Sequence, residues 1–457
     1  MSLNGHRSHR LRDGMLVGNS RQRFTPNPSM TTRTLFPVRG PTGKDYSIEF
    51  QTAADYATAW ARLLERWRNA DSVAHCLCRP AQSVPLVLRR YASSKVALAR
   101  HPHTGPNHDG ACRYFGPSVS GAIARAYQSG VVDEDDGIYK VQLAAGRTMR
   151  EPLTDVEPVE PRLRRGPGVP RQRAMTALGL LKLLWEIAVL HEYRPAWAAT
   201  RAKPASVAGL LLDAATDVRW GRAELSVSLQ VGPAPAKGRL AEHNRSVAAN
   251  AIKQRTRVVV VSRLKPYSDG AQTPAVDLAA HRHVPLAGWD CIRPFLSEAH
   301  AQGLERSFQR ELVAWRNGEP TYAILMVQPK PTGEHFELVR IALMRVSPRA
   351  IPLDSGYEAQ IEDALVVQGR TFDKPMRYID GDDTLPDFRL LDTGGAPLPM
   401  EVFGLTDPAY QQRMREKETF YDQQPDPPGW WRWDAFAGHP IAPFPERALP
   451  RKQPSTS

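Results

Sequence analysis

Three of the four cysteines in this 457-residue chain fall close together, Cys76 and Cys78 in HCLCRP and Cys112 in HPHTGPNHDGACRYF. His108 stands four residues before Cys112. A Cys-x-Cys pair and a His-x3-Cys pair offer three thiolates and one imidazole, the set that tetrahedral zinc takes. With Cys76, Cys78, His108 and Cys112 all engaged, no coordination position stays open, so the Zn²⁺ is expected to be structural rather than catalytic. His75, His101 and His103 compete for the imidazole position. Cys291, in GWDCIRPF, reads as a core residue.

A second constellation lies between residues 354 and 421. Asp387 opens the strand-like run DFRLLD directly after Pro386, and Glu401 sits in LPMEVFGL. Thr393–Gly394–Gly395 supply the turn between these runs. Two neighbouring strands would bring Asp387 and Glu401 together at one sheet end. Glu358, in a helical pattern over 356–368, can approach from a packed helix. Hard carboxylate oxygens are what Mg²⁺ or Mn²⁺ takes, and such an ion activates water and offsets charge in phosphodiester hydrolysis. After Pro408 the chain reads as a helix to about Tyr421. On it Tyr410, Arg413, Lys417 and Tyr421 are three, four and four residues apart and share a face. Lys417 is the candidate catalytic cation; Arg413 and Tyr410 are candidate nucleic-acid contacts. Lys374 is a second candidate cation. Asp392 and the group Asp380, Asp382 and Asp383 read as loop and turn acids.

The order helix, three strands, helix resembles the core of the PD-(D/E)xK nuclease superfamily. Pro386–Asp387 matches its PD element, Glu401 the acid of the next strand, and Glu358 the acid often found in the first helix. Its lysine belongs at position 403, where this chain has Phe403. In some members that lysine sits on the following helix, which the resemblance assigns here to Lys417. The Cys-x-Cys start also resembles the SWIM-type zinc module, whose pattern ends in Cys-x-His where this one ends in His-x3-Cys. That resemblance implies a nucleic-acid- or protein-binding role. Over residues 50–440 the chain resembles an uncharacterised bacterial family of plasmids and integrative conjugative elements, on CLCRP, the H-x3-C loop followed by YFGP, GLLKLLWEIA and LPDF…PMEVFG. That resemblance implies a mobile-element context.

The elements that must position these residues give an α+β multidomain chain. Residues 1–40 read as a flexible tail, with Met30 a second candidate start. Residues 41–150 read as an α+β module carrying the Cys/His cluster. In it 51–70 has helical spacing through Tyr56, Trp60, Leu63, Leu64 and Trp67, 84–99 reads as two strands turning at Ser93–Ser94, and 117–130 as a helix. The Pro- and Arg-rich stretch 151–173 reads as a linker, and Arg162–Arg165, Arg171 and Arg173 are candidate phosphate contacts. Residues 174–350 form a helical, then β-rich middle. Helices are expected at 174–190 and 205–217, followed by a strand-like run at 224–231, the outline of a winged helix. Beyond them, 256–263 reads as a strand, 294–316 as one helix, and 320–328 with 335–346 as a strand pair. Residues 351–440 form the α-β-β-β-α, restriction-endonuclease-like domain. The Pro-rich stretch from 424 is expected to pack as irregular coil, with 441–457 a disordered tail.

Composition narrows the class. Hydrophobic residues at 42% and charged ones at 24% permit a packed core. No apolar run is long enough for a membrane span, and none follows the basic start, so neither a transmembrane segment nor a secretory signal is expected. Four cysteines cannot staple a secreted fold, so a cytoplasmic location is expected. The net charge is +12, but residues 351–457 hold 11 Lys+Arg and 18 Asp+Glu, a net of −7, leaving +19 on the rest. A basic body suits nucleic acid, and clustered carboxylates suit metal ions. No P-loop, GxGxxG, GxSxG or HExxH motif supports an ATPase, dehydrogenase, serine hydrolase or zincin. The expectation is a metal-dependent DNA endonuclease of a mobile element, working with protein partners of that element. The alternative is a non-catalytic DNA-binding or assembly factor with a degenerate nuclease fold, and a protein scaffold is the third.

Overall fold

A computed structural model describes residues 35–448, apart from 80–81, 91–95, 102–103, 110–111, 116–131, 136–137, 150–173, 268–282, 289–290, 332–334, 377–384, 405–407 and 424–428. The 1–34 segment, the 117–130 helix, the 151–173 linker with its arginines, and Asp380, Asp382 and Asp383 lie outside the described residues. No helix among those described is long and apolar enough to cross a membrane.

The first layer is an antiparallel sheet of β1 (Val38–Arg39), β2 (Asp45–Tyr46), β3 (Ala74–Cys76), β4 (Val84–Arg90) and β5 (Val96–Arg100), in the order β2-β1-β3-β4-β5. Two helices cover it. α1 (Ile48–Thr52) starts at Ser47, whose hydroxyl accepts the Phe50 amide. α2 (Ala57–Asn69) buries Leu64 and Trp67 against the strands. The strands bury Val84 with Leu86 and Val96 with Leu98, the period-2 pattern of a one-faced sheet.

A small second sheet joins β6 (Val132–Asp135) and β7 (Ile138–Val141) to β9 (Val218–Trp220) and β10 (Ala223–Glu224). Between them runs α3 (Ala177–Ile187), capped by Thr176, whose Oγ1 accepts the Gly179 amide at 2.9 Å. α3 is apolar on nearly every face and is buried accordingly: Leu181, Leu183 and Leu184 are wholly inaccessible. β8 (Glu192–Tyr193) follows, and then α4 (Pro204–Ala214).

After α4 the hairpin β9–β10 pairs antiparallel, and the strand-like run over 224–231 divides between β10 and a further sheet. β11 (Leu229–Gly232) pairs in parallel with β12 (Val258–Arg263), and the crossover between them is α5 (Arg239–Gln254). Parallel pairing needs such a crossover. The hairpin β13 (Thr321–Pro329) and β14 (Phe336–Arg345) completes the sheet β11-β12-β13-β14. The single helix expected over 294–316 is two, α6 (Glu298–Ser307) and α7 (Gln309–Arg316), broken at Phe308, whose buried ring goes with a non-helical φ of −128° and ψ of 32°.

The C-terminal unit runs α8 (Gly356–Val367), β15 (Phe372–Asp373), β16 (Phe388–Leu390), β17 (Leu398–Phe403), α9 (Pro408–Asp422) and β18 (Trp431–Asp434). Its sheet order is β18-β17-β16-β15-β8. β18 lies where coil is expected: Trp431 and Trp433 point inward and the strand runs parallel to β17. The 441–448 stretch is also held down, through Trp431 Nε1 to Pro443 O, Arg370 to Pro445 O, and Ala448 N to Asp392 O.

Three cores result: one around the first sheet, one around the central helices and sheets, and one in the C-terminal unit. The turn after α3 serves two of them. Val189 and Trp197 belong to the first, and Tyr193 to the third. Val189 is fully buried at φ +56°, a left-handed conformation that a β-branched residue rarely adopts and that costs about 1–3 kcal/mol.

Buried carboxyls tie α8 down. Glu362 accepts from Ser347 Oγ at 3.0 Å and Arg349 at 2.9 Å. Burial pushes its carboxyl up to about 7 despite Arg349. Between the ordinary value of 4.5 and about 7, the folded chain therefore holds a proton that the unfolded chain releases. This group's contribution to stability falls as pH rises across that window and is constant above it. Urea midpoints should decline from pH 5 to pH 7.5, and Glu362→Gln should flatten part of that slope.

Candidate functional site

Two sites emerge. In the first, β3 carries Cys76 into the core, Cys78 follows it, and a loop with a short 3-10 turn at Gly105–Asn107 returns His108 and Cys112 to them. The Cys76 and Cys112 sulfurs are 3.6 Å apart, Cys78 Sγ is 3.4 Å from His108 Nδ1, and Cys112 Sγ is 3.7 Å from it. All four ligand atoms lie within 4.8 Å of one another and all four residues are buried. Zinc bonds of about 2.3 Å to sulfur and 2.0 Å to nitrogen, set tetrahedrally, put two sulfurs ~3.8 Å apart and sulfur and nitrogen ~3.5 Å apart. The observed spacings match. This Cys3His cluster can therefore hold a metal ion such as zinc.

Its surroundings suit that role. The amides of Asp109 and Tyr114 point at Cys78 and Cys112, at 3.3 and 3.4 Å. Burial, helped by Arg100 and Arg79, lowers His108 to about 4, so the imidazole stays neutral with a lone pair to give. The hydrogen bond with Cys76 and then burial push the Cys112 thiol up, and burial pushes Cys78 up. A bound divalent cation reverses that preference outright. Of the competing histidines, His75 and His101 are not part of the cluster, and His103 lies outside the described residues. Cys291 is buried at Asn244 in the central core, as expected.

The second site is at one end of the C-terminal sheet. Asp387 precedes β16; its Oδ2 accepts the Val402 amide at 2.8 Å and its amide reaches Met400 O at 3.0 Å, which fixes the carboxylate beside β17. Asp387 Oδ1 receives no hydrogen bond from the described residues. Glu401 is 1% exposed. Lys417 Nζ donates to Glu401 Oε2 at 2.6 Å and to Leu385 O at 3.0 Å, and the Tyr421 hydroxyl donates to Oε1 at 2.8 Å. Burial first, then the charge of Asp387, raises Glu401 to about 7, while Lys417 and Tyr421 pull it back. Glu358, on α8, accepts from Lys374 Nζ at 2.8 Å and from the Asp354 amide at 2.9 Å. Burial raises Glu358 against the pull of Lys374; burial depresses Lys374, but Glu358, Asp354 and Asp387 together raise it further, so it stays charged.

Asp387, Glu401, Lys417, Glu358 and Lys374 thus share one electrostatic neighbourhood. Among the described residues the three carboxylates are not gathered into a metal-holding group as the cysteines and His108 are; Glu358 pairs with Lys374 and Glu401 with Lys417. Phe403 is core, edge-on to Trp430 at 6.4 Å with Arg432 over its ring. The Tyr410 hydroxyl accepts from Gly404 N and donates to Val402 O, both at 3.3 Å; burial and the nearby charges of Asp387 and Glu401 raise its pKa, and exposed Arg413 lies over its ring. Asp392 forms an anchoring pair with Arg370. Sequence reasoning left Tyr421 without a role, although its spacing of four from Lys417 put it on the same face.

The family model described as Protein of unknown function (DUF1173) matches residues 46–435. The chain belongs to that family. The match takes in both the Cys3His cluster and the carboxylate–lysine site of this DUF1173 protein. No curated protein and no solved structure matches the chain.

Proposed function

We propose that this DUF1173 protein is a metal-dependent endonuclease of a bacterial mobile element, acting on DNA in the cytoplasm, with zinc in the Cys3His cluster as a structural ion. The observation that carries the reading is Lys417 at 2.6 Å from Glu401, beside Asp387, within the order α8-β15-β16-β17-α9. This is the element order of the PD-(D/E)xK core, with the cation supplied from the helix after the third strand. Asp387 and Glu401 would hold Mg²⁺ or Mn²⁺, and the donor chemistry fits, since both are hard carboxylates and Asp387 keeps an oxygen unengaged. Such an ion, when bound, supplies an activated water and charge neutralisation at phosphorus. Lys417 would steady charge developing on the phosphate, and Lys374 offsets part of the burial that raises Glu358. The +19 body would supply the salt-dependent grip on DNA.

One observation favours the non-catalytic DNA-binding reading: both oxygens of Glu401 are already bonded, and the residue is buried. Mn²⁺ titration followed by electron paramagnetic resonance separates the two. The endonuclease should bind Mn²⁺ in zinc-loaded protein, and Asp387→Asn should abolish that binding while salt-sensitive DNA affinity persists. DNA affinity with no Mn²⁺ binding in the wild type would favour the binding factor.

A further inference from the structure

We infer that residues 189–201 form a strut through which the Cys3His module sets the geometry of the Lys374–Glu358 pair. The two sites have separate cores, and this segment enters both. At its near end Val189 and Trp197 pack into the core that contains Cys76, Cys78 and Cys112. The Phe115 amide bonds Cys112 O at 3.0 Å, and the Phe115 ring lies 6.1 Å from that of Trp197. The Arg194 guanidinium covers both rings, at 4.7 and 5.3 Å, and pairs with buried Glu192 at 2.5 Å. At the far end Glu192–Tyr193 is the edge strand of the C-terminal sheet, paired with Phe372–Asp373, and Tyr193 stacks on Phe372 at 5.3 Å. The next residue is Lys374. Its amide bonds His191 O at 2.9 Å, and its ammonium holds Glu358.

The strut is held under tension at one point. Val189 sits at φ +56°, and Arg201, itself buried, donates to the carbonyls of Val189 and Glu192. A strained residue persists only while its surroundings over-determine it. Loss of the packed Cys/His loop removes those surroundings, so the turn relaxes and the edge strand loosens from Phe372–Lys374.

Hydrogen exchange on the full-length protein, read residue by residue, tests this without reference to DNA cleavage. One arm removes metal from the zinc-loaded protein with a chelator; the other is Trp197→Ala, with zinc content measured and retained. In both arms the amides of Phe372 and Lys374, which face the edge strand, should exchange faster by about tenfold or more, while those of Val258–Arg263 in the central sheet keep their protection. Unchanged exchange at Phe372 and Lys374 in either arm overturns the inference. Global acceleration that includes 258–263 overturns it as well. Trp197→Phe, which keeps the ring contact, should restore the wild-type pattern.

Discussion

Cys112→Ser is expected to strip the metal from the purified protein and to lower its thermal midpoint by on the order of 10 °C or more. Four buried ligand atoms within 4.8 Å leave no room for water in place of a lost bond. The serine hydroxyl is a poor ligand for zinc where a thiolate is required. Without the ion, Cys76, Cys78 and His108 remain as crowded polar groups in a core built from Val38, Leu86 and Trp67. The wild type should carry one zinc per chain by elemental analysis, and Cys112→Ser almost none. A free cysteine of purely hydrophobic role predicts a different result: no metal in either protein and a smaller shift, as Cys291→Ser should show.

Lys417→Met should reduce DNA cleavage by about 10²–10³-fold, the usual cost of losing one preorganised charge beside a reacting group. Lys417 bridges Glu401 and the carbonyl of Leu385, so it fixes the carboxylate and presents a positive charge at the sheet end. Methionine keeps the aliphatic stem and its packing but leaves Glu401 without a counter-charge, which favours the neutral acid over the ligating carboxylate. Glu358, paired with Lys374 instead, should be unaffected in its own hydrogen bonding. DNA affinity at fixed salt should change little, because Lys417 lies in the 351–457 stretch of net charge −7, outside the +19 body. Measuring cleavage and affinity on the same preparations separates the two roles. Equal loss of both would mean that Lys417 serves binding alone.

The Cys3His cluster and the face that carries Lys417 were more legible in the sequence than the architecture. Metal ligation restricts residue types so severely that Cys-x-Cys and His-x3-Cys point to one another across an intervening hairpin. Lys417 was legible because helical spacing is local: Tyr410, Arg413, Lys417 and Tyr421 must share a face, whatever the helix packs on. The pairing of Glu358 with Lys374 was not legible, since it joins α8 to the residue after a two-residue strand. α5 was missed because its buried face is Ala241, Asn244, Val247 and Ala251, helically spaced but too small and polar to announce a core helix. β18 does alternate, with Trp431 and Trp433 inward and Arg432 and Asp434 outward, but prolines on both sides hide the pattern. The parallel pairing of β11 with β12 was not legible because it rests on recognising α5 as the crossover between them.

The measurement that bears most directly on the account is nicking of supercoiled plasmid and of single-stranded DNA with Mg²⁺ or Mn²⁺. Wild type, Asp387→Asn and Glu401→Gln would be purified identically and each confirmed folded. The account predicts cleavage by the wild type that both substitutions abolish, with DNA binding retained in all three. Cleavage that survives in both variants, or a wild type that binds DNA tightly and never cuts it, would contradict it.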